Sequence, residues 1–78
     1  MMKMFVSDVL KDGIWEPWFV DLMDFRKALR KMNAGKDHHK YRTRRVRTRE
    51  EFERYRAMGG VTVSKKASSI DLWKVEWV

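Results

Sequence analysis

The chain has 78 residues and no cysteine, so disulfides and thiolate metal sites are excluded, and two independent cores would each fall below about 40 residues. Its hydrophobic content of 44%, with four Trp, four Phe and six Met, argues against disorder and predicts a single folded domain over residues 1–78. The amino terminus lacks a secretory layout and no apolar run approaches about 20 residues, which predicts a cytoplasmic protein without a membrane partner.

The net charge of +7 is concentrated in the middle third of the chain. Residues 1–24 carry two basic and five acidic side chains (−3), residues 25–49 carry eleven basic and one acidic (+10), and residues 50–78 carry five of each. Solubility needs only mixed signs, so a segment of one sign predicts attraction to a partner of opposite charge.

The amino-terminal part of the chain predicts a β-hairpin. Residues 3–10 have the apolar content of a strand, and Asp12-Gly13 is a turn signal because glycine accepts a positive φ angle. Residues 13–18 follow as the partner strand, with a short exposed loop as the alternative. Pro17 has no N–H to donate, so this strand lies at a sheet edge or ends there.

Residues 21–32 give the clearest helix prediction, because four apolar side chains recur at i, i+3, i+7 and i+10. These are Leu22, Phe25, Leu29 and Met32. Acidic residues near the start and basic residues near the end are favourable for the helix dipole. Asn33 and Gly35 are typical of the residues that end a helix. The face opposite the apolar stripe carries Arg26, Lys27, Arg30 and Lys31.

The chain continues through a polar connection at residues 36–40 to a predicted strand at residues 41–47. Thr48 followed by Glu51 is a capping-box signature, which predicts that a helix begins there and covers residues 49–58.

The carboxy-terminal part is predicted to add two strands. Gly59-Gly60 ends the helix, residues 61–64 form a short strand, residues 65–69 a loop, and residues 71–78 a final strand. The final strand is predicted because Trp73, Val75 and Trp77 alternate with polar residues. The order ββαβαββ predicts an α+β fold with an antiparallel or mixed sheet and two helices on one face.

The predicted strand at residues 41–47 carries arginine on both faces. Arg42 and Arg44 share one face with Val46, and Tyr41, Arg45 and Arg47 share the other with Thr43. Charge on both faces predicts an edge strand, where it also blocks unwanted strand pairing.

This density of arginine predicts a non-enzymatic, nucleic-acid-binding domain for DNA or RNA, because the planar guanidinium grips phosphate oxygens and stacks on bases. Phosphate contacts are predicted for Arg26, Lys27, Arg30, Lys31, Lys36, Lys40, Arg42, Arg44, Arg45, Arg47 and Arg49. Tyr41 could stack on an unpaired base, although simple packing is the plainer explanation. The hypothesis requires these cations to lie together and to remain free of the protein's own carboxylates.

The main alternative is a small basic inhibitor or adaptor, of the kind found among accessory proteins of mobile elements, that docks on an acidic patch of a larger protein. Its anchors would be exposed tryptophans, because Trp and Arg are common hot spots at interfaces. The candidates are Trp15, Trp18, Trp73 and Trp77, at least two of which are expected to fill the core. A homodimer through the carboxy-terminal strand is a further option.

A small ribonuclease is the third hypothesis. Its general base would be a histidine or glutamate with arginine stabilising the phosphorane, which makes His39, Tyr41, Arg44 and Glu51 the residues to test. The pair His38-His39 is a weak metal signal, because sequence neighbours usually point apart. The sequence therefore predicts no metal, no cofactor and no enzymatic activity.

Overall fold

A computed structural model of the chain describes residues 2–23 and 40–77. Its elements, in chain order, are β1 (Lys3–Lys11), β2 (Ile14–Met23), β3 (Tyr41–Arg45), α1 (Arg49–Ala57), β4 (Thr62–Val63), α2 (Lys65–Ser69) and a 3-10 helix (Leu72–Lys74). The fold is the predicted small α+β fold with a mixed sheet. The described sheet has four strands where the predicted order has five, and two α-helices are described. Within the described residues, no helix is long and apolar enough to cross a membrane.

The first two strands form the predicted hairpin. Contrary to the prediction, the second strand does not end at Pro17 and is not an outer strand, because β2 continues to Met23 and lies between β1 and β4. Lys11 pairs with Ile14, which leaves Asp12 and Gly13 as a two-residue turn with φ angles of 51° and 78°. Two successive positive φ angles match the right-handed twist of the flanking strands, and Asp-Gly is a preferred sequence for such a turn.

The strand order is β3-β1-β2-β4, so β3 and β4 are the two outer strands of the described sheet. β1 is antiparallel to both of its neighbours, whereas β4 runs parallel to β2 through two residue pairs. α1 connects one outer strand to the other and therefore crosses a face of the sheet. The outer position of β3 confirms the prediction that the arginine-rich strand lies at a sheet edge.

The main core lies between that face and the helices. Met4 and Val6 of β1 are fully buried there against Phe52 of α1 and Ala67 of α2, so both described helices contribute to one cluster. The other face carries a smaller buried pair, Phe5 with Met23.

α1 begins as its sequence predicts. The Thr48 hydroxyl accepts the Glu51 N–H at 3.0 Å, and the Glu51 carboxylate accepts the Arg47 N–H at 3.0 Å. The second bond reaches one residue further back than in a regular capping box. The first bond satisfies a backbone donor that the first helical turn leaves without a helical partner, and the second ties the residue before the cap to that turn.

The predicted helix at residues 21–32 is wrong at its start. Residues 21–23 are the end of β2, where Leu22 pairs with Met4 and both are buried in the main core. The Asp21 carboxylate accepts the Leu22 N–H and the Ser64 hydroxyl, so it does not cap a helix. The rest of that predicted helix lies outside the described residues.

The predicted final strand at residues 71–78 is also wrong. The Lys74 N–H donates to the Asp71 carbonyl, and the Leu72 carbonyl accepts both the Val75 N–H and the Trp77 indole N–H. These local bonds close a 3-10 turn and use groups that a sheet ladder would need. The predicted loop at residues 65–69 is instead α2.

Candidate polyanion-binding surface

The register between β1 and β3 brings two arginines to a buried carboxylate. Val6 lies opposite Arg44, and Asp8 lies opposite Arg42, so these four side chains point to the same face of the sheet. The sequence predicted that Arg42 and Arg44 share one face of the strand, and the register confirms this. The structure adds Asp8, which sits between them on the neighbouring strand.

Asp8 is 1% exposed and accepts three hydrogen bonds from the two guanidinium groups. Arg42 Nε donates at 2.7 Å, Arg44 Nε at 2.5 Å and Arg44 Nη2 at 3.1 Å. Burial alone would raise the pKa of Asp8, but the hydrogen bonds and positive charges of Arg44 and Arg42 outweigh burial and lower that pKa. Asp8 is therefore ionised at neutral pH, and the three groups together carry one net positive charge.

Arg44 is also tied to α1. Its Nη2 donates to the Tyr55 hydroxyl at 3.0 Å, and that hydroxyl donates to the Glu51 carboxylate at 3.2 Å. The hydrogen bond to Asp8, followed by the bond to Tyr55, raises the pKa of Arg44, so its charge is permanent. The chain of contacts from Asp8 to Glu51 locks the position of Arg44 over the sheet.

Arg42 is held in a more open position. Its guanidinium carbon lies 4.6 Å from the centroid of the Trp15 ring, and its side chain is 45% exposed. Only its Nε is used by Asp8, and within the described residues its two terminal nitrogens have no hydrogen-bond partner, so they are available to an anionic ligand. Stacking and the ion pair together restrict the side chain, which reduces the entropy lost when it binds.

Arg45 points to the opposite face and serves the fold. Its Nη2 donates to the Glu76 carbonyl at 2.7 Å, and its Nε is buried without a hydrogen-bond partner. Lys3 forms an ion pair with the Glu76 carboxylate, and the Glu76 N–H donates to the Met2 carbonyl. The hydrogen bond and charge of Lys3 lower the pKa of Glu76. Arg45 therefore holds the carboxy-terminal segment against the sheet.

Three further cations are exposed: Lys40 precedes β3, Arg47 follows it by two residues, and Arg49 is the first residue of α1. None of the three makes an ion pair with a carboxylate in the described part of the chain. We use the term basic edge for the five cations Lys40, Arg42, Arg44, Arg47 and Arg49. With Asp8 as the only carboxylate paired to it among the described residues, the basic edge retains a charge of +4, from five cations and one anion.

The expectation that the cations are free of the protein's own carboxylates is therefore wrong for Arg42 and Arg44. Sequence reasoning missed Asp8. Its signal was a lone carboxylate among the apolar residues of a predicted strand, which a core tolerates only when it is paired. The predicted contacts from Arg26, Lys27, Arg30, Lys31 and Lys36 lie outside the described residues.

The four tryptophans are divided between core and surface. Trp77 packs on Phe52, with ring centroids 6.0 Å apart, and Trp15 is half-buried beneath Arg42. Trp18 is 43% exposed and Trp73 is 77% exposed. The candidates for an exposed protein anchor are thereby reduced to Trp18 and Trp73.

Of the four residues named for a ribonuclease, the three that the structure describes do not converge on one site. Arg44 and Glu51 are linked through Tyr55, whereas Tyr41 lies on the opposite face of β3. His38 and His39 fall outside the described residues. In the ranges 2–23 and 40–77, no group of three His, Asp or Glu side chains is placed to hold a metal ion.

Comparison with known protein families, with curated proteins and with solved structures found no match.

Proposed function

We propose that the protein binds nucleic acid through its phosphate groups, using the basic edge. The observation that carries this proposal is the way Asp8 fixes Arg42 and Arg44 side by side while cancelling only one of their two charges. The terminal nitrogens of Arg42 are unpaired within the described residues, and arginine held in this manner suits bidentate contact with phosphate oxygens.

The exposed cations that precede and follow β3 extend this charge along the sheet edge. A surface of several unpaired cations attracts a polyanion and speeds its encounter with the protein. Binding that neutralises several phosphates falls steeply with salt, because condensed counterions are released from the nucleic acid.

The experiment measures affinity for an oligonucleotide over a series of salt concentrations. The variant Lys40→Gln/Arg47→Gln/Arg49→Gln removes three exposed cations and leaves the Asp8 pairs intact. If each contacts one phosphate, the slope of log affinity against log salt should flatten by about 2–3. Replacing Arg42, Arg44 and Arg45 would be a poorer test, because all three also hold the fold together.

The matched control is Arg54→Gln/Lys65→Gln/Lys66→Gln. These three cations are also exposed and make no ion pair within the described residues, but they lie further along α1 and on α2, away from the residues next to β3. The control loses the same net charge and should keep the wild-type slope. Equal effects of the two triple variants would mean that only total charge matters. Absence of binding by the wild type at low salt would eliminate the proposed function.

Protein binding is a second candidate, favoured by one observation. A groove of about 350 Å³ runs between the start of β2 and the turn after α1, and its walls include Trp18 and Met58. Met58 is 46% exposed, and exposed apolar side chains of this kind anchor interfaces. A partner protein captured after nuclease digestion, and lost on Met58→Asp, would support this function. Dependence of the complex on nucleic acid would reject it.

A further inference from the structure

We infer that the preferred ligand is single-stranded nucleic acid, whose bases stack on Trp18 and Tyr41. This inference rests on the proposed function and adds the class of nucleic acid. It comes from a feature that the basic edge does not use, namely two exposed aromatic rings in contact, with Tyr41 on the face of β3 opposite to Arg42 and Arg44.

A β-bulge places Trp18 at the surface. Ser7 pairs with Phe19 and Asp8 pairs with Pro17, so Trp18 is the extra residue of β2 with no partner on β1. Pro17 supplies no N–H, which favours an irregular ladder at this point. Bulges re-aim side chains and are over-represented at functional sites, and this one keeps a large aromatic ring out of the core.

Trp18 and Tyr41 lie close together although they belong to different strands. Their ring centroids are 6.2 Å apart, and the Phe19 ring is 5.5 Å from Trp18. Trp18 is 43% exposed and Tyr41 is 45% exposed. Neither the indole N–H nor the phenol hydroxyl has a hydrogen-bond partner among residues 2–23 and 40–77. Both rings are therefore about half exposed, and both polar groups are unpaired within the described residues.

The charges beside the two rings differ. Tyr41 directly follows the exposed Lys40, and its ring lies on the face of β3 opposite to Arg42 and Arg44, whereas Lys11 and Glu16 balance each other near Trp18. A strand whose base stacks on Tyr41 would therefore meet Lys40 first and would reach Arg42 only around the outer edge of β3. In a duplex the base faces are already covered by their neighbours, so only an unpaired strand can use these rings.

The test compares a single-stranded oligonucleotide with a hairpin duplex of the same composition, as RNA and as DNA, by fluorescence anisotropy. The wild type should bind the single strand more tightly. Trp18→Ala and Tyr41→Ala should each weaken single-strand binding roughly tenfold to a hundredfold, as for loss of one base–aromatic stack, and change duplex binding little. Tyr41→Phe keeps the ring and should retain the single-strand affinity.

Trp73→Ala is the matched control. Trp73 is the most exposed tryptophan of the described residues, and its ring contacts Lys74 and none of the three clustered rings. Its removal should leave both affinities unchanged. Circular dichroism checks that each variant is folded, and Trp18→Phe replaces Trp18→Ala if the bulge does not tolerate alanine. Because phenylalanine keeps an aromatic ring, the Trp18→Phe variant should bind the single strand at least as tightly as the Tyr41→Ala variant does.

Two outcomes overturn the inference while the proposed function survives. One is equal affinity of the wild type for single strand and duplex with no effect of the ring substitutions. The other is a wild-type dimer that Trp18→Ala converts to a monomer without loss of single-strand affinity, because the rings would then serve self-association. A wild type that binds neither nucleic acid at low salt would instead remove the proposed function itself.

Discussion

Replacement of Asp8 by Asn should destabilise the fold far more than its single negative charge suggests. The substitution keeps the volume of the side chain and one acceptor oxygen, but it removes the negative charge and one of the two oxygens that accept three hydrogen bonds from Arg42 and Arg44. It also places an amide donor opposite guanidinium donors. Asp8 is 1% exposed, so water does not replace the lost contacts at the carboxylate position.

The expected loss of stability in the Asp8→Asn variant follows from two opposing contributions. Removing one partner of a buried ion pair costs about 3–5 kcal/mol when the other partner stays buried. Here the partners are arginine side chains that are 45% and 37% exposed and can turn toward water, which lowers the cost. We expect a loss of about 2–3 kcal/mol in the free energy of unfolding, a large share of the 5–15 kcal/mol typical of whole domains.

Urea unfolding followed by tryptophan fluorescence at pH 7 provides the measurement. Arg44→Gln should cost more than Arg42→Gln, because Arg44 makes two bonds to Asp8 and one to Tyr55, whereas Arg42 makes a single bond. The double variant Asp8→Asn/Arg44→Gln should lose less stability than the sum of the single variants, since both remove the same interaction.

Acidification supplies an independent check. The pKa of Asp8 is lower in the folded protein than the value of about 3.9 in an unfolded chain, so protonation favours unfolding. The stabilisation by Asp8 is complete above pH of about 4 and is lost as the pH falls through the folded pKa. The stability difference between wild type and Asp8→Asn should therefore shrink below pH of about 4. A difference within about 0.5 kcal/mol at pH 7, or one that is constant down to pH of about 3, would refute this account.

Two further predictions concern single backbone features. Thr48→Ala should lower the free energy of unfolding by about 1 kcal/mol, because the Glu51 N–H loses its acceptor. Thr48→Ser keeps the hydroxyl and should retain most of that stability in the same urea assay. Equal unfolding midpoints for Thr48→Ala and the wild type would contradict the capping role of Thr48. Gly60→Ala should cost about 1 kcal/mol because Gly60 has a φ angle of 84°. Gly59→Ala, which meets no atom within 4 Å and no positive φ, should be nearly neutral, and a reversed order of the two glycines would exclude backbone strain as the cause.

Elements with strong local signals were predicted well. The Asp12-Gly13 turn, the Thr48 cap of α1 and the edge position of β3 follow from backbone sterics, hydrogen-bond capacity and charge within a few residues. Each of these signals excludes the competing structures without help from the rest of the chain.

Elements whose pattern fits two structures were not predicted. Leu22 suits both a helix stripe and a buried strand position, and pairing with Met4 selects the strand. Trp73 and Trp77 alternate as in a strand, but the Leu72 carbonyl accepts two local donors and closes a turn. Such contacts cannot be read from spacing, because they depend on which distant residue becomes a neighbour.

For this protein, the sequence by itself determined the α+β class, the hairpin, the capped helix and the surplus of positive charge at the sheet edge, since these depend on residue type and short-range order. Only the tertiary structure decided that Asp8 holds Arg42 and Arg44, that Arg45 anchors the carboxy-terminal segment, and that Trp18 meets Tyr41 at the surface. The physical reason is strand register: it sets which side chains meet, and it is fixed by the packing of the whole sheet.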